Sequence, residues 1–347
     1  MTGKEHFLAI ADRKSEHCGF WHGVPHDDSA AKLYAYFGVK DDFELGLKLG
    51  SICRFVSPEA NNMWKTPDQP MGPGTPPMFD IYGGKEQKTL SQAGVFADYE
   101  DGDVDKVNNY HWRDPADCDF TKTIEEIDKT RATGQAVLSG TWGTFFRTTC
   151  CFFGMENCFM KMHSDSEVVD AVTKHVVDFY LAANEKLYKQ ATGKIEALFF
   201  GNDFGTQLDL FISPEHFERF IMPYFAQLTD QAHEHGLKVV LHSCGSIYRV
   251  IPRLIEAGVD ILHPLQALAK NMDAENLSER YKGKIAFMGG VDTQRLLPFG
   301  GPEDVKKEVR RLKKLFGPNY IVSPSHETLL PNVPLENVAA MVEAAME

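Results

Sequence analysis

The chain has 347 residues, of which 43% are hydrophobic and 24% charged, enough apolar side chain for a folded core and too balanced a composition for disorder. Its net charge of -13 opposes broad attraction to phosphate backbones and anionic lipid, so nucleic acid is not an expected partner. No run of about 18 uncharged apolar residues occurs, and MTGKEHFLAIADRK lacks the apolar core of a secretory leader; no membrane association and a cytoplasmic location are expected.

The first apolar runs, CGFWHG (18–23) and SICRFV (51–56), predict short strands. Residues 57–134 are rich in Pro, Gly, Asp and aromatic residues, and are expected to make long insertions that form a lid over one face. From about residue 135 one unit repeats: a short apolar run, a polar turn containing Gly, then a segment of helical period. The runs are QAVLSG (135–140), EALFFGND (196–203), LKVVLHSCG (237–245), VDILHPLQ (259–266), KIAFMGGVD (284–292) and NYIVSPSH (319–326). Each is nearly uniformly apolar, as parallel strands covered on both faces are. In SPEHFERFIMPYFAQLTDQAHEHG, Ser213 caps a helix, Pro214 suits its first turn and Gly236 ends it. Eight strands alternating with helices predict an α/β protein, a single (β/α)8 TIM barrel spanning residues 1–347 with an elaborated N-terminal half. A doubly wound open sheet is the rival, but no GxGxxG follows an early strand.

In parallel barrels the residues just beyond each strand converge, although they are far apart in sequence. Here they are His22, Asn202, Asp203, His242, Cys244, His263, Gln266, Asp292, His326 and Glu327. His242 and Cys244 stand two apart on an extended strand, so their side chains point the same way and suit one zinc ion. His326 is the expected third ligand, with Glu327 as the alternative. The competing reading makes His242 a hydrogen-bonded barrel residue and Cys244 a small buried hydrophobe. Seven cysteines, an odd number, do not suggest a disulfide framework, and the adjacent Cys150 and Cys151 read as structural. In GNDFGTQ, Asn202 and Gln207 are candidates to orient a polar substrate and Asp203 to act as acid or base, or else as a helix cap. His22 and His263 are candidate substrate contacts by position. In GGVDT the glycines allow close approach of a ligand, while Asp292 caps the next helix. Trp21, Trp64, Tyr82, Trp142, Phe145 and Phe146 either stack on a planar ligand or pack the interior, and GMENCFMKM (154–162) has the spacing of a core helix.

From about Gly134 onward the chain resembles the uroporphyrinogen decarboxylase superfamily, and within it the corrinoid-dependent methyltransferases. The resemblance rests on NDFGTQ followed by SPEHFERFIMPYF, on HSCGS, EAGVDILHPLQ and GGVDT, and on the closing SPSHETLLPNVPLENVAAMVEAA. It implies the barrel fold. Methyltransferases of this group that act on coenzyme M hold zinc with an HxC pair and a distant C-terminal Cys; His242 and Cys244 match the pair, but the distant position reads Ser325-His326-Glu327. The decarboxylases carry an arginine motif near the N-terminus, and SEHCGFWHGVPHDD contains no arginine. The chain resembles most the branch that demethylates methoxylated aromatic compounds. That resemblance implies transfer of the methyl group to cobalt(I) of a corrinoid on a separate binding protein, because this chain has no DxHxxG segment. On that reading zinc sits on His242, Cys244 and His326, Asp203 or Glu327 protonates the departing oxygen, and Trp142 stacks on the ring; a homodimer is compatible with it. Methyl transfer to a thiol, a decarboxylase, and a tetrapyrrole-binding module without chemistry are the alternatives.

Overall fold

The computed structural model describes residues 1–64, 79–85, 87–89 and 92–347. Each predicted run contains a strand: β1 Gly19–Phe20, β2 Cys53–Val56, β3 Ala136–Ser139, β4 Ala197–Gly201, β5 Lys238–His242, β6 Ile261–His263, β7 Ala286–Val291 and β8 Tyr320–Pro324. All pairings are parallel, in one sheet of order β1-β8-β7-β6-β5-β4-β3-β2. The two outer strands approach one another, and the Ile52 N–H donates to the Phe20 carbonyl at 2.9 Å. Eight parallel strands in a curled sheet are consistent with a (β/α)8 barrel.

Alternate side chains of a strand face opposite ways, and the burial follows that rule. Leu138, Phe199, Val240, Ile261, Met288 and Ile321 share one interior cluster. Val137, Leu198, Val239, Leu262, Phe287 and Val322 pack in the larger cluster against the helices. The N-terminal helix Gly3–Ala11, not anticipated from sequence, buries Phe7, Ile10 and Ala11 completely in the interior cluster. Its Lys4 N–H donates to the Gly134 carbonyl at 2.8 Å and the Lys4 ammonium meets Glu196 at 2.7 Å, both just ahead of a strand. The helix therefore covers the N-terminal end of the sheet, which leaves the C-terminal end for ligands.

Within the segment expected to form a lid, the aromatic residues described pack on the helices. Residues 65–78, 86 and 90–91 of that segment lie outside the described residues. Phe79 meets Phe179 edge-on at 5.3 Å, Phe96 stacks on Phe152 at 4.9 Å, and Trp112 lies flat on His175 at 4.7 Å. The partners belong to the helices Phe145–Phe153 and Ser166–Gln190, and each aromatic pair adds about 0.5–1.5 kcal/mol beyond simple burial. Apolar rings gain more by packing on these helices than by spanning a wet mouth. Among the described residues no helix is long and apolar enough to cross a membrane.

Candidate active site

The end of β5 supplies the centre. His242 Nε2 and Cys244 Sγ are 3.4 Å apart, as their shared side of the strand requires. Asp203, just past β4, brings Oδ1 to 3.4 Å from the same Nε2 and accepts the Cys244 N–H at 2.9 Å. One ligand atom from each of the three lies within 4.8 Å of the other two. Two glycines let the loops meet so closely. A Cβ on Gly205 would stand 2.7 Å from the Ser246 nitrogen, and one on Gly245, at φ +84°, would stand 2.1 Å from the Gly205 carbonyl oxygen.

The C-terminal end of β8 closes the other side. Glu327 Oε2 lies 3.3 Å from Nδ1 of His242 and 3.3 Å from Nδ1 of His326. That oxygen is buried without a hydrogen-bond partner among the described residues. The His326 ring stands perpendicular to His242, with centroids 5.9 Å apart, and its Nδ1 accepts the Thr328 N–H at 3.1 Å.

The charges are strongly coupled. Burial opposes ionisation of Asp203, yet the hydrogen bond and charge of His242 and the Cys244 N–H outweigh it and hold the carboxyl at about 2. Burial likewise raises the Cys244 thiol, but hydrogen bonds from His242 and His326 bring it below its ordinary range. Burial disfavours imidazolium at both histidines and is overcome, at His242 by Glu327, Asp203 and Cys244, and at His326 by Cys244 and Glu327. The cluster thus gathers sulfur and carboxylate oxygen around two imidazole rings, and the rings and the acidic groups favour one another's charged forms. A divalent ion replaces such ring protons, and sulfur, imidazole and carboxylate together suit zinc better than magnesium or calcium. The Glu327 oxygen between the two rings is a further donor. The residues therefore fit a zinc ion.

Beside the cluster lies a cavity of about 420 Å³, within the size range of small-molecule sites. Trp21, Phe55, Trp142 and Phe199 form its apolar walls, and Glu327 reaches it from the cluster. Trp142 is the link, 5.6 Å from Phe55, 5.3 Å from Phe199 and 5.4 Å from His242 between ring centroids. Its position is pinned from below, since the Trp142 N–H donates to Glu59 Oε1 at 2.7 Å while the Ser57 hydroxyl donates to Oε2 at 3.0 Å. Burial raises the Glu59 carboxyl above its ordinary value, so the folded protein binds this proton more tightly than the unfolded chain does. Its stabilising share is complete below the unfolded value near 4.5 and is lost as pH rises through the folded value. Glu59→Gln removes that loss. The variant should gain stability relative to the natural protein as pH increases from about 4.5, measured by urea unfolding at several pH values; parallel stability curves would refute the buried acid.

The model of the uroporphyrinogen decarboxylase (URO-D) family matches residues 94–347, well over half of the chain. This chain belongs to the URO-D family. A uroporphyrinogen decarboxylase of Hordeum vulgare is 26% identical over 200 residues, covering 56% of this chain and 57% of the relative. The methylcobamide:CoM methyltransferase MtbA of Methanosarcina mazei is 21% identical over 243 residues, 70% of this chain and 67% of the relative. The match thus spans little more than half of the barley enzyme's length and about two thirds of MtbA. Among solved structures, a methyltransferase from Methanosarcina mazei superposes with a TM-score of 0.64 at 15% identity, covering 100% of this chain and 98% of that one, which establishes likeness of fold.

In this URO-D family member the predicted site residues separate into two groups. His242, Cys244, Asp203, His326 and Glu327 come together, and Trp142 lines the cavity. In this gathering Asp203 takes the place at ligand distance that sequence assigned to His326. The other predicted substrate contacts lie outside the residues that line this cavity. Asn202 is fully buried, its Oδ1 accepting the Phe146 N–H at 3.0 Å and its Nδ2 donating to the Gly143 carbonyl at 2.8 Å, so it shapes the turn carrying Trp142. His263 lies behind His242, fully buried, with the two Nδ1 atoms 3.1 Å apart. Gln207 is exposed and outside the cavity lining. His22 is held by Ser51 at 2.9 Å and Asp42 at 3.0 Å, one partner at each ring nitrogen.

Of the GGVDT glycines, Gly289 approaches backbone where a ligand was expected: a Cβ there would meet the Pro264 carbonyl oxygen at 1.9 Å. Asp292 caps as predicted, its carboxylate accepting the N–H groups of Gln294, Arg295 and Leu296. Phe145 and Phe146 are core residues. Sequence reasoning missed Phe55 and Glu59; the strand-end rule, applied to the residues just after SICRFV, points straight at Ser57-Pro58-Glu59.

Proposed function

We propose that this protein is a zinc-dependent methyltransferase that moves the methyl group of a methoxylated aromatic compound to cobalt(I) of a corrinoid on a separate protein. The observation that carries the reading is the aromatic-walled cavity beside the Asp203, His242 and Cys244 trio, with Glu327 common to both. Likeness to MtbA, whose name includes a methylcobamide, supports cobalt as the methyl partner. Methanol or a methylamine needs no aromatic enclosure of this size.

An aryl methyl ether is inert because phenolate leaves poorly. Zinc on Asp203, His242 and Cys244, with His326 or Glu327 beside them, supplies a Lewis acid for the ether oxygen. Trp142 and Phe55 hold the ring by its faces and keep water from the reacting oxygen. The C–O bond breaks as the cobalt–carbon bond forms, cobalt passes from the I to the III state, and the phenolate takes up one proton. Asp203 is a poor source of that proton, since a carboxyl at about 2 is ionised at neutral pH. His326, whose proton affinity Cys244 and Glu327 raise above that of a free imidazole, is the better donor. The segment Ser57–Asn61 borders the cavity and forms part of its cover. Residues 1–347 act as one domain in this reading.

The test is methyl transfer to a reduced corrinoid protein from a panel of methoxybenzenes, methanol, methylamines and methylthiols. Absorbance should report conversion of cobalt(I) to methylcobalt(III) with the aromatic ethers alone, matched by one phenol per methyl group. Turnover of the small donors with none of the ethers would overturn the donor. Methyl loss from a methylcorrinoid on adding a thiol would select the reading in which the chain works in the direction that MtbA's name describes.

A further inference from the structure

We propose that Arg54, Asp42 and Glu126 form a polar subsite in the same cavity that receives the free hydroxyl of a neutral methoxyphenol and disfavours a carboxylate. The proposal rests on the aryl-ether reading above and adds the second ring substituent.

Arg54 lies mid-strand in β2 and, with Asp42 and Glu126, lines the cavity that Phe55 and Trp142 wall. Its Nε and Nη1 are buried and have no hydrogen-bond partner among the described residues. The flanking carboxylates stand just too far away, Asp42 Oδ2 at 3.9 Å from Nη1 and Glu126 Oε2 at 3.8 Å from Nη2. Buried guanidinium N–H groups without acceptors are costly, so a ligand oxygen that meets the guanidinium from the cavity is well rewarded.

The gap is also held in shape. Asp42 Oδ1 is anchored by His22 at 3.0 Å, and the guanidinium carbon sits 5.0 Å from the centroid of the Phe43 ring. Lys129, 4.1 Å from the centroid of the same ring, neutralises part of Glu126 at 3.6 Å. A hydroxyl answers both sides, accepting from Arg54 and donating to Asp42 or Glu126. A carboxylate only accepts, and it would face Asp42, Glu126 and Glu327 across the same space. A ring bearing the methoxy group alone leaves the arginine unpaired.

Quenching of tryptophan fluorescence measures this directly, because Trp21 and Trp142 line the cavity. At neutral pH 2-methoxyphenol should bind roughly tenfold more tightly than methoxybenzene or 2-methoxybenzoate. Arg54→Met should bring 2-methoxyphenol down to methoxybenzene and leave methoxybenzene unchanged, a result that loss of folding does not give. Glu126→Gln, which removes one repelling charge, should strengthen 2-methoxybenzoate binding. Tightest binding of 2-methoxybenzoate by the natural protein, or equal weakening of phenol and methoxybenzene in Arg54→Met, overturns the subsite and spares the aryl-ether reading. Should Arg54→Met not fold, an unchanged benzoate affinity in Glu126→Gln overturns it as well. Binding of none of the three overturns the aryl-ether reading and the subsite together.

Discussion

Cys244→Ala should lose its zinc on dialysis and lower kcat by about a thousandfold or more. The thiolate is the softest donor of the trio and the one most specific to zinc. A Lewis acid at the ether oxygen contributes several kcal/mol to the transition state, and about 4 kcal/mol corresponds to a factor near a thousand. Elemental analysis of natural and variant protein, alongside methyl-transfer rates, makes the comparison. Three companions assign the remaining ligands. Asp203→Asn should weaken zinc retention, because Asp203 Oδ1 faces His242 Nε2 at 3.4 Å. His326→Ala should keep zinc and lose turnover if the ring delivers the proton; loss of zinc would make it a ligand, as the sequence suggests. Glu327→Gln separates the same two roles for the oxygen that faces both rings. A Cys244→Ala protein that holds one zinc per chain and turns over normally would remove the metal from the mechanism.

The second large effect is expected at a residue that touches no ligand. Gly245→Ala should lower the unfolding free energy by about 3 kcal/mol or more and release zinc in the molecules that remain folded. Two costs combine. A side chain at φ +84° is strained, and its Cβ would lie 2.1 Å from the Gly205 carbonyl oxygen, which no rotamer relieves because the obstacle is backbone. The loops after β4 and β5 then have to separate, drawing Asp203 from Cys244. Gly38→Ala is the control. Gly38 has φ +69° and nothing within 4 Å of the place a Cβ would take, so only the conformational cost of about 1–2 kcal/mol remains. Urea unfolding of both variants isolates the steric part; equal losses would mean that the two loops do not cross as closely as their glycines indicate.

Those loops mark the boundary between what was legible in the sequence and what was not. The eight strands could be read because each is covered on both faces, so burial alone dictates an apolar run, and the strands β3 to β8 stand inside the predicted limits. His242 and Cys244 could be paired because the two-residue period of a strand is local geometry. The helix Gly3–Ala11 escaped notice because a nine-residue amphipathic segment acquires its meaning only from the barrel end it covers. For Asn202, His263 and His22, composition could not say whether a polar strand-end residue serves a ligand or the protein's own backbone and neighbours. Asn202 satisfies a turn, and His263 Nδ1 meets the ring of His242, because those groups stand nearest in space. Arg54 carries no sequence signal, being a single charge within a strand. The chain's own sequence therefore determined which segments become strands and which strand end carries the sulfur and imidazole, since local periodicity governs both. Only the tertiary structure decided that Asp203 stands at ligand distance from them and that Phe55, Glu59 and Arg54 share a cavity with Trp142, because those proximities depend on how closely separate loops are permitted to pack.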